Sequence, residues 1–238
     1  MKVFILAAGI GTRLKPLTNN QPKVMIKIGN KPVLEHLLNL CHHYSFNDII
    51  INLHYLPEVI TSYFGNGQKF GVKINYSFEK KIMGGAGALK QAEKLLKNDS
   101  FFVLNGDVMT NVDLIAIAKF HQEKAGLGCL LVHPTDHSFD SDLVEYDGKF
   151  RILRFFRSTV GDNIQPVSKT GTHIFKPAVL NFIPPRQKFS LEKQLIPVLL
   201  TAKQSLYAYY SNCYSKDMGT LERLAQVEKD YQNGKIYI

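Results

Sequence analysis

Apolar residues in the first half of the chain follow two different spacings. Strand-like segments, which are continuous apolar runs except for the alternating residues 72–78, are followed by longer stretches in which apolar positions recur at helical intervals. The predicted strands span residues 3–7, 48–53, 72–78 and 101–104, and the predicted helices span 32–44, 57–64 and 86–96. This alternation predicts an α/β fold in three layers, with a mixed, mostly parallel sheet and helices on both faces.

The second half of the chain has shorter connections between its predicted elements. Strands are expected over 143–146, 150–156 and 169–175, and helices over 191–200 and 218–231. We expect this half to complete the sheet and to add a lobe, so that residues 1–238 form a single domain.

Length and composition are those of a globular protein. The 238 residues, 45% of them hydrophobic, can bury one sizeable core or two unequal lobes. No apolar run is long enough to cross a bilayer, and Met1 and Lys2 lead directly into the first strand, which leaves no room for a signal peptide. The three cysteines, Cys41, Cys129 and Cys213, are far apart and odd in number, as expected of reduced thiols. The sequence therefore predicts a cytoplasmic protein without membrane association.

The formal net charge of +9 raises the question of nucleic-acid binding. The lysines, however, are spread along the chain, and no basic run interleaves with aromatic residues. This distribution favours the capture of small polyanionic substrates over binding to nucleic acid.

A glycine-containing turn follows the first predicted strand. Residues 3–14, VFILAAGIGTRL, pass from an apolar run into small residues that include Gly9 and Gly11. Such a turn lets backbone N–H groups approach phosphate oxygens, because no Cβ stands in the way. Arg13 adds a planar group with five donors, and Lys23 adds a compact, mobile charge. Together these residues predict a site for the phosphates of a nucleotide.

Two common glycine motifs are poorly matched here. A dinucleotide-binding fingerprint needs a third Gly or Ala where this chain has Leu14, which disfavours an NAD-dependent dehydrogenase. A P-loop ends in Gly-Lys-Ser/Thr, whereas this segment reads Gly11-Thr12-Arg13.

Asp107 follows the predicted strand 101–104 within the sequence Asn105-Gly106-Asp107. Ligands of open α/β sheets bind outside the carboxyl ends of the strands, so Asp107 and the glycine turn are expected at the same edge. A carboxylate at that place can bind Mg²⁺, a hard cation that prefers oxygen ligands.

These segments resemble the signature of the sugar-1-phosphate nucleotidyltransferases, which make nucleotide sugars from a nucleoside triphosphate and a sugar 1-phosphate. The similarity begins at residues 3–25 and continues in order through Glu79, Gly84-Gly85-Ala86-Gly87, Leu104-Asn105-Gly106-Asp107 and Asp217-Met218-Gly219-Thr220. It covers nearly the whole chain.

The resemblance implies a Rossmann-like, GT-A-like fold, that of the nucleotide-diphospho-sugar transferases. Residues 1–125 would form the nucleotide-binding half and residues 126–238 the sugar-phosphate-binding half. The β-helix extension that some members carry is not expected in this sequence.

In the reaction that the resemblance implies, a sugar-phosphate oxygen attacks the α-phosphorus and pyrophosphate leaves. The implied catalytic residues are Arg13, Lys23 and Asp107: Lys23 would hold the two reacting phosphates and Arg13 the β- and γ-phosphates. Asp107 and Asp217 would bind Mg²⁺. Because Asp217 precedes a predicted helix, an N-cap role is the alternative for it.

The implied nucleotide contacts comprise the first turn, Lys23, the acidic residue after the third predicted strand and three later positions. They are Leu6, Ala7, Ala8, Gly9, Gly11, Thr12, Arg13, Lys23, Glu79, Gly84, Asn105 and Asp107. Glu79 and the turn at 84–88 would read the base. A carboxylate only accepts hydrogen bonds, so Glu79 suits the N–H donors of guanine and also the ring N–H of uracil or thymine.

The implied sugar-phosphate contacts are Asn105, Glu145, Gly171 and Thr172, although Glu145 could equally be an exposed strand residue. Family members usually carry a Glu-Lys-Pro or Arg-Lys-Pro run whose lysine contacts the sugar phosphate. Ser158 stands at that position here, and Arg154 and Arg157 are the alternatives that could replace the lysine.

Two stretches are most similar to the guanylyltransferases that act on manno-heptose 1-phosphate or mannose 1-phosphate: residues 133–143, HPTDHSFDSDL, and 216–223, KDMGTLER. The expected partners are therefore GTP and one of these sugar phosphates, in a chain that is compatible with a homodimer. Two alternatives are a uridylyltransferase for an amino-sugar 1-phosphate and a non-catalytic regulatory subunit that binds nucleotide sugars. The missing lysine motivates the second of these.

Overall fold

The structure is a computed structural model that describes residues 1–135, 141–157 and 167–236. The chain forms two compact units, each assembled from separate stretches of sequence. The first comprises Met1–Ile82, Phe102–Asp113 and Tyr214–Ile238, and the second comprises Met83–Phe101 and Leu114–Cys213.

The strands of the described residues are β1 (Lys2–Leu6), β2 (Lys27–Ile28), β3 (Lys31–Pro32), β4 (Asp48–Leu53), β5 (Lys73–Phe78), β6 (Phe101–Asn105), β7 (Val108–Thr110), β8 (Gly128–Pro134), β9 (Asp142–Tyr146), β10 (Ile152–Arg157), β11 (Val167–Phe175), β12 (Leu206–Tyr210) and β13 (Ser215–Asp217). The α-helices are α1 (Val33–His43), α2 (Pro57–Phe64), α3 (Gly84–Gln91), α4 (Glu93–Leu96), α5 (Leu114–Lys124), α6 (Ile196–Thr201) and α7 (Leu221–Gln232).

The first unit contains the strand order β6-β1-β4-β5. Strand β4 runs parallel to both of its neighbours, with Ile49 opposite Val3 on one side and opposite Ile74 on the other. The middle residues of β1 and β4 are fully buried, as expected for strands that are covered on both faces. The carboxyl ends of these parallel strands therefore lie at one edge, where the glycine turn begins.

Helix α1 confirms the predicted apolar face. Its inward residues are all almost completely buried: Val33, Leu34, Leu37, Leu38 and Cys41. The predicted start was one residue too early, because Pro32 has extended backbone angles and precedes the first helical residue.

The second unit contains mainly antiparallel pairs. Strand β11 pairs antiparallel with β8 and with β9, and β9 pairs antiparallel with β10. Strand β12 lies parallel to β8, with Leu206 opposite Gly128. The α/β class with a mixed, mostly parallel sheet flanked by helices is confirmed, and the antiparallel pairs explain the short connections in this half.

Three other predicted helices differ more from the observed ones than α1 does. The helix expected over 86–96 begins two residues earlier and breaks at Ala92 into α3 and α4. The helix expected over 191–200 begins as a π-helical turn, Leu191–Leu195, before α6. The helix expected over 218–231 begins at Leu221, because Thr220 is its N-cap, and β13 ends just before at Asp217.

Cys41 and Cys129 are free, buried thiols, and burial raises the pKa of Cys41 to about 12. Within the described parts of the chain, no helix is both long and apolar enough to span a membrane.

His121, on α5, makes the stability of the protein depend on pH. The residue is 2% exposed, and burial, together with the charge of Lys176, lowers its pKa to about 4. The unfolded chain therefore binds a proton between about pH 6.5 and 4 that the folded state does not bind. Above this range, His121 does not lower the free energy of unfolding. The free energy of unfolding falls as the pH decreases through the range, and at pH 5 this group alone lowers it by about 2 kcal/mol. Denaturation of the wild type and of His121→Gln at pH 7 and 5 measures the effect, and an equally steep loss in the variant would contradict it.

Candidate active site

The turn after β1 depends on Gly11, which has a φ of +72°. A Cβ at this position would lie 3.0 Å from Thr18 Cγ2 and 3.1 Å from Lys23 Cβ. The Thr18 hydroxyl donates a 2.9 Å hydrogen bond to the Gly11 carbonyl oxygen and closes the loop. Gly9, in contrast, has open space around its Cα, since an added Cβ would meet no heavy atom within 4 Å. The turn thus brings Lys23 close to the backbone and leaves its tip uncovered.

Arg13 lies on a short 3₁₀ turn, Thr12–Leu14. The side chain of Leu14 is buried and anchors the turn, whereas Arg13 is exposed. The guanidinium group reaches the segment after β13: a Cβ at Gly219 would lie 3.1 Å from Arg13 Nη2. Gly219 therefore leaves room for the Arg13 side chain.

Lys23 and Asp107 form an ion pair. Only 11% of the Lys23 side chain is exposed, against 30% of the Asp107 side chain. Gly106 brings the end of β6 close to β1, since its N–H donates a 2.9 Å hydrogen bond to the Leu6 carbonyl oxygen. A Cβ on Gly106 would lie only 2.6 Å from that oxygen. The position of Asp107 thus depends on a glycine before it.

Gly106→Ala should therefore destabilise the protein. The added methyl group must displace either the end of β6 or Leu6, at a cost of about 1–3 kcal/mol, the usual range for overpacking. Chemical denaturation of this variant and of Gly148→Ala provides the comparison, because a Cβ at Gly148 would meet nothing within 4 Å. Equal unfolding midpoints for the two variants would contradict the close approach at Gly106.

Asp217 lies beside Asp107. Strand β13 pairs antiparallel with β7, which places Asp217 opposite Val108. The Met218 N–H donates a 3.0 Å hydrogen bond to the Asp107 carbonyl oxygen. The structure thus brings together the two aspartates that the sequence predicts as metal ligands, although they are far apart along the chain.

The contacts of Asp217 test one of its two predicted roles, that of an N-cap. Its Oδ1 accepts a 2.7 Å hydrogen bond from the Gly219 N–H, and its Oδ2 accepts one of 2.7 Å from Arg223 Nη1. Helix α7 is capped instead by Thr220, whose hydroxyl oxygen accepts from the Arg223 N–H. The N-cap alternative for Asp217 is therefore wrong.

Asn52 connects three strand ends, and the sequence patterns did not single it out. Its Oδ1 accepts a 2.7 Å hydrogen bond from the Ala7 N–H after β1, and its Nδ2 donates one of 2.6 Å to Glu79 Oε1 after β5. Asn52 is 2% exposed and Glu79 is 5% exposed. The signal that could have found Asn52 is a polar residue near the end of an otherwise apolar predicted strand.

Gly84 lies in the second unit and has a φ of +72°. A Cβ at Gly84 would lie 2.8 Å from the Phe189 carbonyl oxygen. That oxygen accepts a 3.0 Å hydrogen bond from the Gly87 N–H, and the Phe189 N–H donates one of 2.7 Å to Met83. The predicted base-reading turn is thus fixed against the segment around Phe189.

The predicted sugar-phosphate residues of the second unit lie on two strands. Glu145 is on β9 and pairs with Arg154 at 3.3 Å. Gly171 and Thr172 are on β11, where Thr172 is 1% exposed and donates through its N–H to Thr170 Oγ1.

The two arginines that could replace the missing lysine are both exposed and paired. Arg157 pairs with Asp142 at 3.0 Å, and the side chains of Arg154 and Arg157 are 62% and 61% exposed. Ser158 lies outside the described residues, as do residues 136–140 of the stretch 133–143.

The first unit contains most of the predicted nucleotide and metal contacts. They are Leu6, Ala7, Ala8, Gly9, Gly11, Thr12, Arg13, Lys23, Glu79, Asn105, Asp107 and Asp217. Gly84, Glu145, Gly171 and Thr172 belong to the second unit.

The pair Asp107 and Asp217 fits a magnesium ion. In the described ranges no three His, Cys, Asp or Glu side chains are grouped around a common metal position. Mg²⁺ does not need such a cage, because it keeps several waters and is bound by one or two carboxylates together with substrate phosphates. Lys23 pairs with Asp107 and Arg223 pairs with Asp217. Each carboxylate would therefore interact with its basic partner and with a bound cation at the same time.

Comparison with known proteins identifies the family of this chain. Over residues 2–234 the chain matches the family described as Nucleotidyl transferase, and it belongs to that family. It is 36% identical over 233 residues to a UTP–glucose-1-phosphate uridylyltransferase of Synechocystis sp., covering 92% of this chain and 60% of the relative. It is 34% identical over 227 residues to a mannose-1-phosphate guanyltransferase of Candida albicans, covering 92% of this chain and 61% of the relative.

The chain thus spans about three fifths of the length of these two relatives (60% and 61%). Among solved structures, it shares its fold with HddC from Yersinia pseudotuberculosis. The TM-score is 0.83 at 23% identity, and the match covers 97% of this chain and 99% of that chain. The resemblance to sugar-1-phosphate nucleotidyltransferases is confirmed at the level of the family and the fold.

Proposed function

We propose that this protein transfers a nucleoside monophosphate from a nucleoside triphosphate to a sugar 1-phosphate and releases pyrophosphate. The observation that carries this proposal is the convergence of Arg13, Lys23, Asp107 and Asp217 in the first unit. Two cations and two carboxylates around an open glycine turn suit a metal-bound triphosphate.

In this reaction a sugar-phosphate oxygen attacks the α-phosphorus, and the bond from the α-phosphorus to the pyrophosphate oxygen breaks. Alignment of the phosphates and neutralisation of their charge lower the barrier. Lys23 is a largely buried cation close to the turn, and it would turn from Asp107 towards the α-phosphoryl group. Arg13 would bind the departing β- and γ-phosphates through its planar donors.

Asp107 and Asp217 would hold Mg²⁺, which supplies positive charge to the phosphate oxygens when it is bound. Arg223 fixes the orientation of the Asp217 carboxylate through the 2.7 Å hydrogen bond. The glycine at 219 leaves room for both groups, because a Cβ there would lie 2.5 Å from Asp217 Oδ1 and 3.1 Å from Arg13 Nη2.

We propose GTP as the preferred nucleotide and mannose 1-phosphate or manno-heptose 1-phosphate as the acceptor. The guanyltransferase of Candida albicans supports this choice. Glu79 supports it through chemistry, because a fixed carboxylate accepts hydrogen bonds from the N–H donors of guanine. The free thiols of Cys41 and Cys129 support a reducing, cytoplasmic location.

Uridylyl transfer is the second candidate, and the Synechocystis relative favours it. Glu79 can also accept a hydrogen bond from the ring N–H of uracil, so its chemistry alone does not separate the two bases.

Release of pyrophosphate tests both candidates. The assay combines GTP, UTP, CTP and dTTP with mannose, manno-heptose, glucose and N-acetylglucosamine 1-phosphates, in the presence of Mg²⁺. We expect the highest kcat/KM with GTP and a manno-configured acceptor. A preference for UTP would replace the guanylyl proposal with the uridylyl one. Nucleotide binding without any pyrophosphate release would instead support a regulatory, non-catalytic protein.

A further inference from the structure

A buried cluster of charged and polar side chains lies in the second unit beside the strand that carries Gly171. Lys169 on β11 has a side chain that is only 5% exposed, and its Nζ donates a 3.0 Å hydrogen bond to Glu192 Oε1. The same Nζ donates to His173 Nε2 at 3.3 Å, since an ammonium group can only donate. The Glu192 side chain is 26% exposed, so the cluster is partly accessible on the side of Glu192.

The charges of this cluster balance. Burial disfavours the charged form of Glu192, but the neighbouring Lys169 lowers the pKa of the carboxyl overall, which keeps it ionised at neutral pH. Burial, reinforced by Lys169, lowers the pKa of His173 well below its usual value, so the imidazole is neutral. The cluster therefore contains one positive and one negative charge.

The described residues do not use every hydrogen-bond donor of this cluster. Because His173 Nε2 accepts from Lys169, the proton of the neutral ring is on Nδ1. Nδ1 is buried and has no hydrogen-bond partner in the described part of the chain. Lys169 uses two of its three donors on Glu192 and His173. A buried polar cluster with unused capacity needs an explanation in terms of function or bound molecules.

The position of the cluster connects two predicted binding segments. Glu192 belongs to the π-helical turn Leu191–Leu195, and such turns are frequent at functional sites. The residue before that turn's N-cap, Phe189, is hydrogen-bonded to the Gly84 turn through Met83 and Gly87. At the other end, Lys169 precedes Gly171 on the same strand. The cluster thus lies next to both segments within one compact unit.

The chemistry of a paired lysine and glutamate fits a hydroxyl group better than a phosphate. A hydroxyl can donate to the carboxylate and accept from the ammonium at the same time, and both hydrogen bonds are charge-assisted. A phosphate dianion would be repelled by the ionised Glu192, and the balanced pair offers it no net positive charge. The cluster therefore suits the uncharged ring of a sugar.

We propose that Lys169 and Glu192 together read a ring hydroxyl of the acceptor sugar and so determine which sugar 1-phosphate is used. This inference rests on the proposed function. His173 acts as a positioning residue, because it accepts a hydrogen bond from Lys169 and holds the ammonium towards Glu192.

Glu192→Gln is the central test. The glutamine side chain has the size of glutamate, and its amide oxygen can still accept a hydrogen bond from Lys169. Because the amide is uncharged, its hydrogen bond with the sugar hydroxyl is no longer charge-assisted. With mannose 1-phosphate and GTP, we expect the KM for the sugar phosphate to rise at least about tenfold, whereas the KM for GTP stays within about twofold.

Deoxy analogues of the acceptor identify the contact. Mannose 1-phosphate and its 2-, 3-, 4- and 6-deoxy forms are compared in the wild type and in Glu192→Gln. The wild type should use one of the analogues at least about tenfold less well than the parent sugar, and the variant should lose that discrimination. Unchanged ratios across the whole series would overturn the inference.

Two further variants control the experiment. Lys90 and Glu93 form an ion pair of the same 3.0 Å length in the same unit, so Glu93→Gln removes a comparable pair and should leave every ratio unchanged. Lys169→Met should lose discrimination for the same hydroxyl as Glu192→Gln. If Lys169→Met does not fold, as judged by thermal melting, Glu192→Gln carries the test alone because its site is partly exposed.

The outcomes separate the two proposals. If the wild type converts no sugar 1-phosphate with any nucleotide, the proposed function fails and this inference fails with it. If the wild type is active but Glu192→Gln keeps both its KM for the sugar phosphate and its discrimination among analogues, only the inference fails.

Discussion

Replacing Lys23 with alanine should lower kcat/KM by about a thousandfold, equivalent to about 4 kcal/mol of transition-state stabilisation. The physical reason is that one buried ammonium group both aligns the reacting phosphates and offsets the charge that develops on the α-phosphoryl group. Its side chain is 11% exposed, so water cannot readily replace it. Steady-state pyrophosphate release at saturating Mg²⁺ measures the effect.

Lys27→Ala is the matched control. Lys27 lies four residues further along the chain and is exposed on β2, so its loss should change kcat/KM less than about twofold. Because Lys23 also neutralises Asp107, thermal melting must show that Lys23→Ala is folded. Near-normal turnover in a folded Lys23→Ala protein would remove Lys23 from its proposed role.

Asp107→Asn should raise the Mg²⁺ concentration needed for half-maximal activity at least about tenfold and lower the maximal rate about a hundredfold. An amide is a neutral and weaker ligand for a hard cation than a carboxylate. The fold should be retained, because Asn has nearly the size of Asp and 30% of the Asp107 side chain is exposed. Titration of activity with Mg²⁺ provides the measurement.

Asp99→Asn serves as the control for this exchange, since Asp99 is exposed in the second unit. It should leave the Mg²⁺ titration unchanged. An unchanged Mg²⁺ dependence in Asp107→Asn would contradict the assignment of Asp107 as a metal ligand.

The parallel strands of the first unit could be predicted from local sequence alone. Strands β1 and β4 are short apolar runs, β5 alternates between apolar and polar residues, and β4 was predicted with its observed bounds. The edge at which the site lies followed from the rule that ligands bind at the carboxyl ends of such strands. The shared location of the glycine turn and Asp107 could therefore be predicted from strand ends alone.

The strands β8 and β13, which the sequence did not predict, pair with distant parts of the chain. Residues 215–217 look like the approach to a helix, yet they pair with β7, more than a hundred positions earlier in the chain. Strand β8 was not predicted, and its neighbours β11 and β12 come later in the chain. Contacts of this kind depend on partners that no local pattern reveals.

The same limit applies to individual side chains. Asn52 lies within a strand that reads as purely structural, and its role follows only from the two hydrogen bonds that it makes. The sequence predicts Lys169 only as a strand residue, because nothing in its local sequence indicates that Glu192 lies 3.0 Å from its ammonium group.

The hydrogen bonds of Asn52 have an evolutionary consequence. One amide holds both the backbone of the phosphate turn at Ala7 and the carboxylate of Glu79, which we propose to read the base. A lineage that replaces Glu79 to accept a different nucleotide also removes the acceptor for the Asn52 Nδ2 group, which leaves a buried donor unpaired. Nucleotide preference in such a protein should therefore change by paired substitutions at these two positions, since an exchange at one alone leaves a buried polar group of the other unpaired.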